Sequence, residues 1–225
     1  MSTLVVAVDG PSGSGKSSTA RGVADRLGLA YLDTGAMYRA MTWALLRRGT
    51  DMNDPEAIAH DAEGVVIASG TDPLSPTIEV DGHDVSGPIR GTDVTGNVSL
   101  VAAVPRVREL LVQCQRETVE DSPGGIVVEG RDIGSVVLPD APVKIYLVAD
   151  PAARAARRAA ELGDIDATAT EADLARRDRI DSTRAASPLA KAPDAIEIDG
   201  THLTLDQVVD AIVARVDDVT RAGTS

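Results

Sequence analysis

The chain has 225 residues, 43% of them hydrophobic and 25% charged, enough aliphatic material to bury a core without a metal or disulfide staple. Aromatic residues make up 2% and Phe is absent, so the core must be Val, Ile, Leu, Ala and Met, and no aromatic set exists to stack on the bases of a nucleic-acid strand. A net charge of −13 argues against nucleic acid and anionic membranes as partners, because such binding draws its affinity from neutralised phosphates.

Leu4–Val8 is a short aliphatic run ending in Asp9-Gly10, which predicts a buried strand that stops at a Gly-rich loop. Behind the loop, Ala20, Val23, Ala24 and Leu27 keep helical spacing, and Gly28 supplies a left-handed stop. Leu29–Leu32 then gives a second strand and completes a β-α-β unit. Val65–Ile67 and Thr77–Val80 read as strands of an inserted β-lobe, with Asp81-Gly82 as hairpin turn chemistry and a helix following from about Pro105 to Glu120.

Ile126–Glu129, Val143–Val148 and Ala195–Ile198 complete a set of five short strands interleaved with helices, predicting an α/β fold with a parallel sheet covered on both faces. Asp150-Pro151 opens a helix that reaches Leu162 and stops at Gly163. The polar segment from about Arg157 to Asp178 has the length of a helical lid. Thr204 and Gln207 form a capping box ahead of the stripe Leu205, Val208, Val209, Ile212, Val213 and Val216.

Cys114 is the single cysteine, and His60, His83 and His202 are too scattered to suggest a metal cage. The N-terminus lacks the charged region and long apolar stretch of a secretory signal, and no run has membrane-spanning length, so a cytoplasmic protein is expected.

The first chemical signal is Gly10-Pro11-Ser12-Gly13-Ser14-Gly15-Lys16-Ser17, a full G-x-x-x-x-G-K-[ST] motif between a strand and a helix. Its glycines let backbone N–H groups turn inward around phosphate oxygens, Lys16 reaches the β- and γ-phosphates, and the Ser17 hydroxyl can ligand Mg2+. Asp84-Val85-Ser86-Gly87 and Asp93-Val94-Thr95-Gly96 fit the short D-x-x-G pattern of GTPase switches, but neither follows a strand of the main sheet and no Asn-Lys-x-Asp motif occurs.

An acceptor site is expected from arginines at element ends. Arg39 lies just inside the helix after Asp33-Thr34-Gly35, and Arg106 and Arg108 lie in the first turns of the helix opened by Pro105, where the dipole disfavours cations lacking an acceptor. Two residues apart, Arg106 and Arg108 cannot serve one ligand from the same face. Gly130-Arg131-Asp132 follows a strand at the sheet's carboxyl edge, where open α/β sheets bind ligands.

Arg177, Asp181 and Arg184, spaced i, i+4 and i+7, share one face of a helix expected to be capped by Thr170, with Arg176 and Arg179 pointing elsewhere. That stripe suits a phosphorylated sugar, with forks for phosphate oxygens and a carboxylate for ribose hydroxyls. Arg154, Arg157 and Arg158 form a similar stripe, expected to face the donor triphosphate. The residues alone leave open a kinase for another acceptor, such as UMP, AMP or shikimate, or a non-catalytic P-loop switch.

DGPSGSGKSS, LDTGAMYRA, DVSGPIR, VAAVPRVRELL, EGRDIGSVVLPDAPVKIYL and RDRIDSTRAASPL, in that order, resemble the bacterial cytidylate kinases over nearly the whole chain. The resemblance implies a P-loop kinase fold that transfers the γ-phosphoryl group of ATP to CMP or dCMP with Mg2+. It further implies a core of residues 1–34, 121–156 and 185–225, a monophosphate-binding lobe with a β insert at 35–120, and a lid with the acceptor-site helix at 157–184.

By the same resemblance Ser99, Arg108 and Asp132 read the cytosine and Asp181 holds the ribose, while Arg39, Arg131, Arg177 and Arg184 bind phosphate. Thr34 joins the CMP site, and Ser18 joins the ATP site with the P-loop, Arg154 and Arg158. A monomer is the family default. Glu129 stands where many relatives have Asp.

Overall fold

The computed structural model of the chain describes residues 3–162, 167–183 and 189–222. In chain order the elements are β1 (Val5–Asp9), α1 (Lys16–Leu27), β2 (Ala30–Asp33), α2 (Thr34–Arg48), α3 (Pro55–Ala62), β3 (Ile67–Ser69), β4 (Ile78–Val80), β5 (His83–Asp84) and α4 (Thr92–Ala102). There follow α5 (Pro105–Glu120), β6 (Ile126–Gly130), β7 (Val143–Val148), α6 (Pro151–Leu162), α7 (Ala167–Thr183), β8 (Ile196–Asp199) and α8 (Leu205–Ala222). The main sheet has the order β2-β6-β1-β7-β8 and every pairing is parallel.

β1 lies at the centre, and its alternation sorts the core. Val5 and Ala7 face one side with Leu32, Met41, Leu111 and Val128; Val6 and Val8 face the other with Tyr31, Val127, Ile145 and Ile212. Successive side chains of a strand point to opposite faces, so a continuous apolar run is what a doubly covered strand requires. Each fully buried Val, Leu or Ile contributes about 1.5–3 kcal/mol relative to exposure. α1 and α8 cover the second face closely: a Cβ on Gly22 of α1 would lie 2.9 Å from Val209 of α8. Gly28 ends α1 in the left-handed region as expected, and Thr204 and Gln207 cap α8 reciprocally. Among the described residues no helix is long and apolar enough to cross a membrane.

The insert between β2 and β6 is a three-stranded antiparallel sheet with the order β3-β4-β5, accompanied by helices. The Asp81-Gly82 turn joins β4 to a third strand, β5, that the sequence reading lacked; both turn residues have positive φ, 51° and 78°, as a two-residue hairpin loop needs. The strand expected at Val65–Ile67 begins instead at Ile67, because Val66 is held by Asp81 at the sheet's end, with Asp81 N–H donating to its carbonyl at 2.9 Å. α3 and α4 were also missed. Asp54 caps α3 by accepting from Glu56 and Ala57 N–H, while α4 carries Gly, Asn and Thr, poor helix formers, and is held by burial of Val94, Val98 and Val101. Two bonds tie the insert's loop to the core: Thr71 carbonyl accepts from Tyr31 N–H of β2 at 2.9 Å, and Pro73 carbonyl accepts from Arg21 of α1 at 2.8 Å.

Of the expected polar lid segment from Arg157 to Asp178, the described residues belong to the end of α6 and the first part of α7. Thr170 lies inside α7 rather than at its head, so it is not the cap; Gly163 and Arg184 fall outside the described residues.

Candidate active site

The P-loop joins β1 to α1 at the carboxyl edge of the sheet. At Gly10 the chain passes so close to β7 that a Cβ would lie 2.1 Å from the Leu147 carbonyl, and its φ of 153° is one that residues with a side chain rarely adopt. A loop whose N–H groups converge inward must turn alternate carbonyls outward, and arginines receive them. Arg131 donates to Gly10 carbonyl at 3.1 Å, Arg154 to Ser12 carbonyl at 2.9 Å and Arg157 to Ser14 carbonyl at 3.1 Å. The α6 stripe is therefore split: Arg158 lines the cleft, whereas Arg154 and Arg157 brace the outside of the loop rather than facing into it.

The cleft itself holds about 420 Å3. Its donor side is lined by Ser12, Gly13, Gly15, Lys16, Ser17 and Ser18, while Gly10, Pro11 and Ser14 lie behind them. Lys16 Nζ donates to Pro11 carbonyl at 2.7 Å. Glu129, at the end of β6, accepts from Ser17 Oγ at 3.0 Å and from Tyr31 OH at 2.5 Å. Burial pushes the Glu129 carboxyl up and the Lys16 ammonium down from their ordinary values, and each partly opposes the other's shift. The same burial, with Glu129 and Asp33 nearby, drives the Tyr31 phenol far above its usual range, so it stays a proton donor to Glu129.

The opposite wall carries the expected acceptor residues. Thr34 Oγ1 donates to Glu129 carbonyl at 2.7 Å, and Arg39 pairs with Asp33 at 2.9 Å. Buried Arg108 forms an ion pair with buried Asp132 and lies 5.5 Å over the Tyr38 ring; buried Ser99 lines the same wall. Arg106, by contrast, is exposed on Glu63 and Glu109, which confirms that the two α5 arginines serve different faces.

Arg131 reaches across: it donates to Ser12 Oγ and lies 3.3 Å from Asp181 and 3.5 Å from Asp178. On α7, Arg177 and Asp181 both line the cleft, whereas Arg176 pairs outward with Asp173 and Arg179 is exposed, as the helical phase predicts. Burial and the Arg131 cation hold the Arg177 guanidinium down to about 10, against Asp181. Its Nε is buried and has no hydrogen-bond partner among the described residues, a costly arrangement unless an acceptor completes it.

Two groups escaped the sequence reading. Asp178, one step beyond Arg177, accepts from Ser12 N–H at 3.0 Å and pairs with Arg154, so it joins α7, α6 and the P-loop. Its position is about 100° around the helix from Arg177, outside the stripe that drew attention, and its signal was the adjacent α6 arginines. Asp9 is the other. Buried, with its carboxyl pushed up to about 6 by desolvation, it accepts from Ile133 and Gly134 N–H at 2.8 Å each.

A phosphate-cradling loop that faces a basic, carboxylate-lined wall across one cleft, on this sheet order, makes the chain a P-loop phosphotransferase. The comparisons narrow the class. The cytidylate kinase family model matches residues 6–218, so the chain belongs to that family. It is 57% identical to the cytidylate kinase of Streptomyces griseus subsp. griseus, over 96% of this chain and 94% of the relative. The cytidylate kinase of Streptomyces coelicolor is 56% identical over 98% and 95%. Among solved structures, an uncharacterized protein from Eubacterium ventriosum superposes with a TM-score of 0.53 at 13% identity, covering 96% of this chain and 99% of that one, a likeness in fold alone.

Proposed function

We infer that the chain transfers the γ-phosphoryl group of ATP to CMP or dCMP, giving ADP and CDP or dCDP. The observation that carries the acceptor is the buried Arg108–Asp132 pair in the wall of the cleft that the P-loop lines, with the Arg39, Arg131 and Arg177 forks lining the same cleft. A carboxylate can accept from the cytosine N4 amine while Arg108 and Ser99 donate to N3 and O2, a pattern uracil does not present. Asp181 takes the ribose hydroxyls. Arg39, Arg131 and Arg177 hold the acceptor phosphate, joined by Arg184, and Thr34 completes this wall.

On the donor side the P-loop N–H groups and Lys16 hold the β- and γ-phosphates, with Ser18 and Arg158 contributing to the ATP site and Arg154 bracing the loop from behind. The hard oxygen donors of Ser17 and Glu129 at the loop's mouth fit Mg2+ and would hold it beside the phosphates. When bound, the metal neutralises phosphate charge. An acceptor phosphate oxygen forms the new bond to the γ-phosphorus as the bridging bond to the β-phosphate breaks, and the electron pair leaves with ADP. The nucleophile is already anionic, so alignment and charge neutralisation by Lys16 and the arginines supply the catalysis rather than a general base.

The insert at 35–120 forms the acceptor lobe, residues 157–184 the lid that excludes water, and 1–34, 121–156 and 185–225 the core. A monomer is the default that the family resemblance gives, acting where ATP and CMP meet, in the cytoplasm. The test is ADP release with CMP, dCMP, UMP, AMP and shikimate as acceptors. CMP and dCMP should give the highest kcat/KM; preference for another acceptor overturns the assignment, and ATP binding without transfer to any acceptor indicates a switch.

A further inference from the structure

The Asp9 carboxylate lies between donor loop and acceptor wall and belongs to neither set of contacts assigned above. It closes β1 one residue before Gly10 and is buried. Its two oxygens reach forward to another segment: Oδ1 accepts from Ile133 N–H and Oδ2 from Gly134 N–H. Those amides open the wide turn Ile133–Val137 that directly follows Arg131-Asp132. The turn's own bonds run from Val136 and Val137 N–H to the Asp132 carbonyl and from Leu138 N–H to the Ile133 carbonyl. Its leading N–H groups therefore have no partner within the turn, the situation of every helix start, and a side chain from β1 fills both.

The turn is also held from behind. The Lys144 stem packs against Gly134, where a Cβ would lie 3.1 Å from Lys144 Cδ, and Lys144 Nζ is anchored on Asp194 at 2.7 Å and on the Pro139 carbonyl. Between these two supports the backbone of 132–134 is fixed to the strand that launches the P-loop. Asp132 leaves this backbone toward Arg108, and Arg131 leaves it toward Gly10 and Ser12.

We propose that Asp9 is a positioning residue for base selection, holding the Arg131-Asp132 segment in register with the donor loop so that the Asp132 carboxylate meets the base at hydrogen-bonding distance. The proposal rests on the reading of CMP as acceptor and Asp132 as its base reader. Telling an N4 amine from an O4 carbonyl depends on an acceptor held within a few tenths of an ångström, since a hydrogen bond weakens steeply with distance and angle. One bond to each Asp9 oxygen also fixes the carboxylate against rotation, so the two segments cannot slide past one another.

Asp9→Asn keeps the shape but turns an amide N–H toward one of the two N–H donors, and Asp9→Glu keeps the charge but moves it one carbon further. Both variants are compared with the wild-type chain for KM of CMP, KM of ATP, the kcat/KM ratio of UMP to CMP, and melting temperature. The expected result is a rise in KM for CMP and in the UMP to CMP ratio, each on the order of tenfold, with KM for ATP within about threefold of wild type. Unchanged CMP KM and selectivity with a lowered melting temperature would mean a purely structural carboxylate and overturn the proposal. Equal rises for ATP and CMP would overturn it too, assigning Asp9 to the P-loop alone. Should the Asn variant fail to fold, the Glu variant is read by the same measures. Wild-type transfer to CMP is the control: if it is absent, the acceptor assignment has failed, whatever the variants do.

Discussion

Lys16 shares its surroundings with the Arg131 cation and with the carboxylates of Glu129, Asp178 and Asp9, and burial weighs against its charge. A cation held under those conditions is there for a ligand rather than for the fold. Lys16→Ala should therefore lower turnover by about 10^2 to 10^3 while the melting temperature stays level or rises, which a rate assay and a thermal scan check together. Asp9 gives the matching statement for an acid. With its carboxyl moved from 3.8 to about 6, the native state holds its proton more tightly than the unfolded chain does. Its contribution to stability thus falls as pH rises from about 4 to about 6 and is level above, a change of roughly 3 kcal/mol. Asn cannot titrate, so denaturant unfolding of both chains from pH 4 to 7.5 should show the wild type losing ground to Asp9→Asn across that window. A constant difference would mean that the acid is not desolvated as the structure has it.

The α7 helix turns a spacing into a site. Arg177 and Asp181 line the cleft and Arg179 faces solvent, so Asp181→Ala should raise KM for CMP on the order of tenfold through lost ribose hydrogen bonds and a loosened Arg131, while Arg179→Ala changes it by less than twofold. Initial rates against CMP concentration at saturating ATP decide the matter; equal damage from the two would mean a wrong helical phase. The α6 arginines show where such reasoning stops. Periodicity placed Arg154, Arg157 and Arg158 near the P-loop, but only coordinates could show that two of them brace its outward carbonyls. A stripe records which residues travel together, not which side of a loop they meet.

Across the molecule, what could be read from the sequence was whatever buries itself by a local rule. All five strands of the main sheet lie within one residue of their expected positions, because aliphatic runs between Gly, Pro and Asp have no other stable use in a doubly covered sheet. α4 and β5 were not legible: the first owes its form to packing against α2 and the second is two residues long. Of the candidate site, the residues that face the cleft from a helix or strand end could be read directly or through family resemblance. Asp9, Asp178 and the Glu129–Tyr31 contact could not, since each joins segments far apart in the chain and no periodicity encodes it.

Arg131 has a consequence at this largest scale, because one guanidinium serves Gly10 and Ser12 of the donor loop and Asp181 of the acceptor helix. Whatever shifts it for one nucleotide shifts it for the other, so ATP and CMP should alter each other's affinity, and thermodynamic reciprocity makes the factor the same in both directions. Titration calorimetry with a non-hydrolysable ATP analogue, in both orders of addition, should return one common factor, on the order of tenfold. Arg131→Lys keeps the charge but loses the fork, and should bring that factor toward one while each nucleotide still binds alone. A factor untouched by the substitution would place the communication between the two substrates elsewhere, in the contacts of the insert's loop with Tyr31 and Arg21.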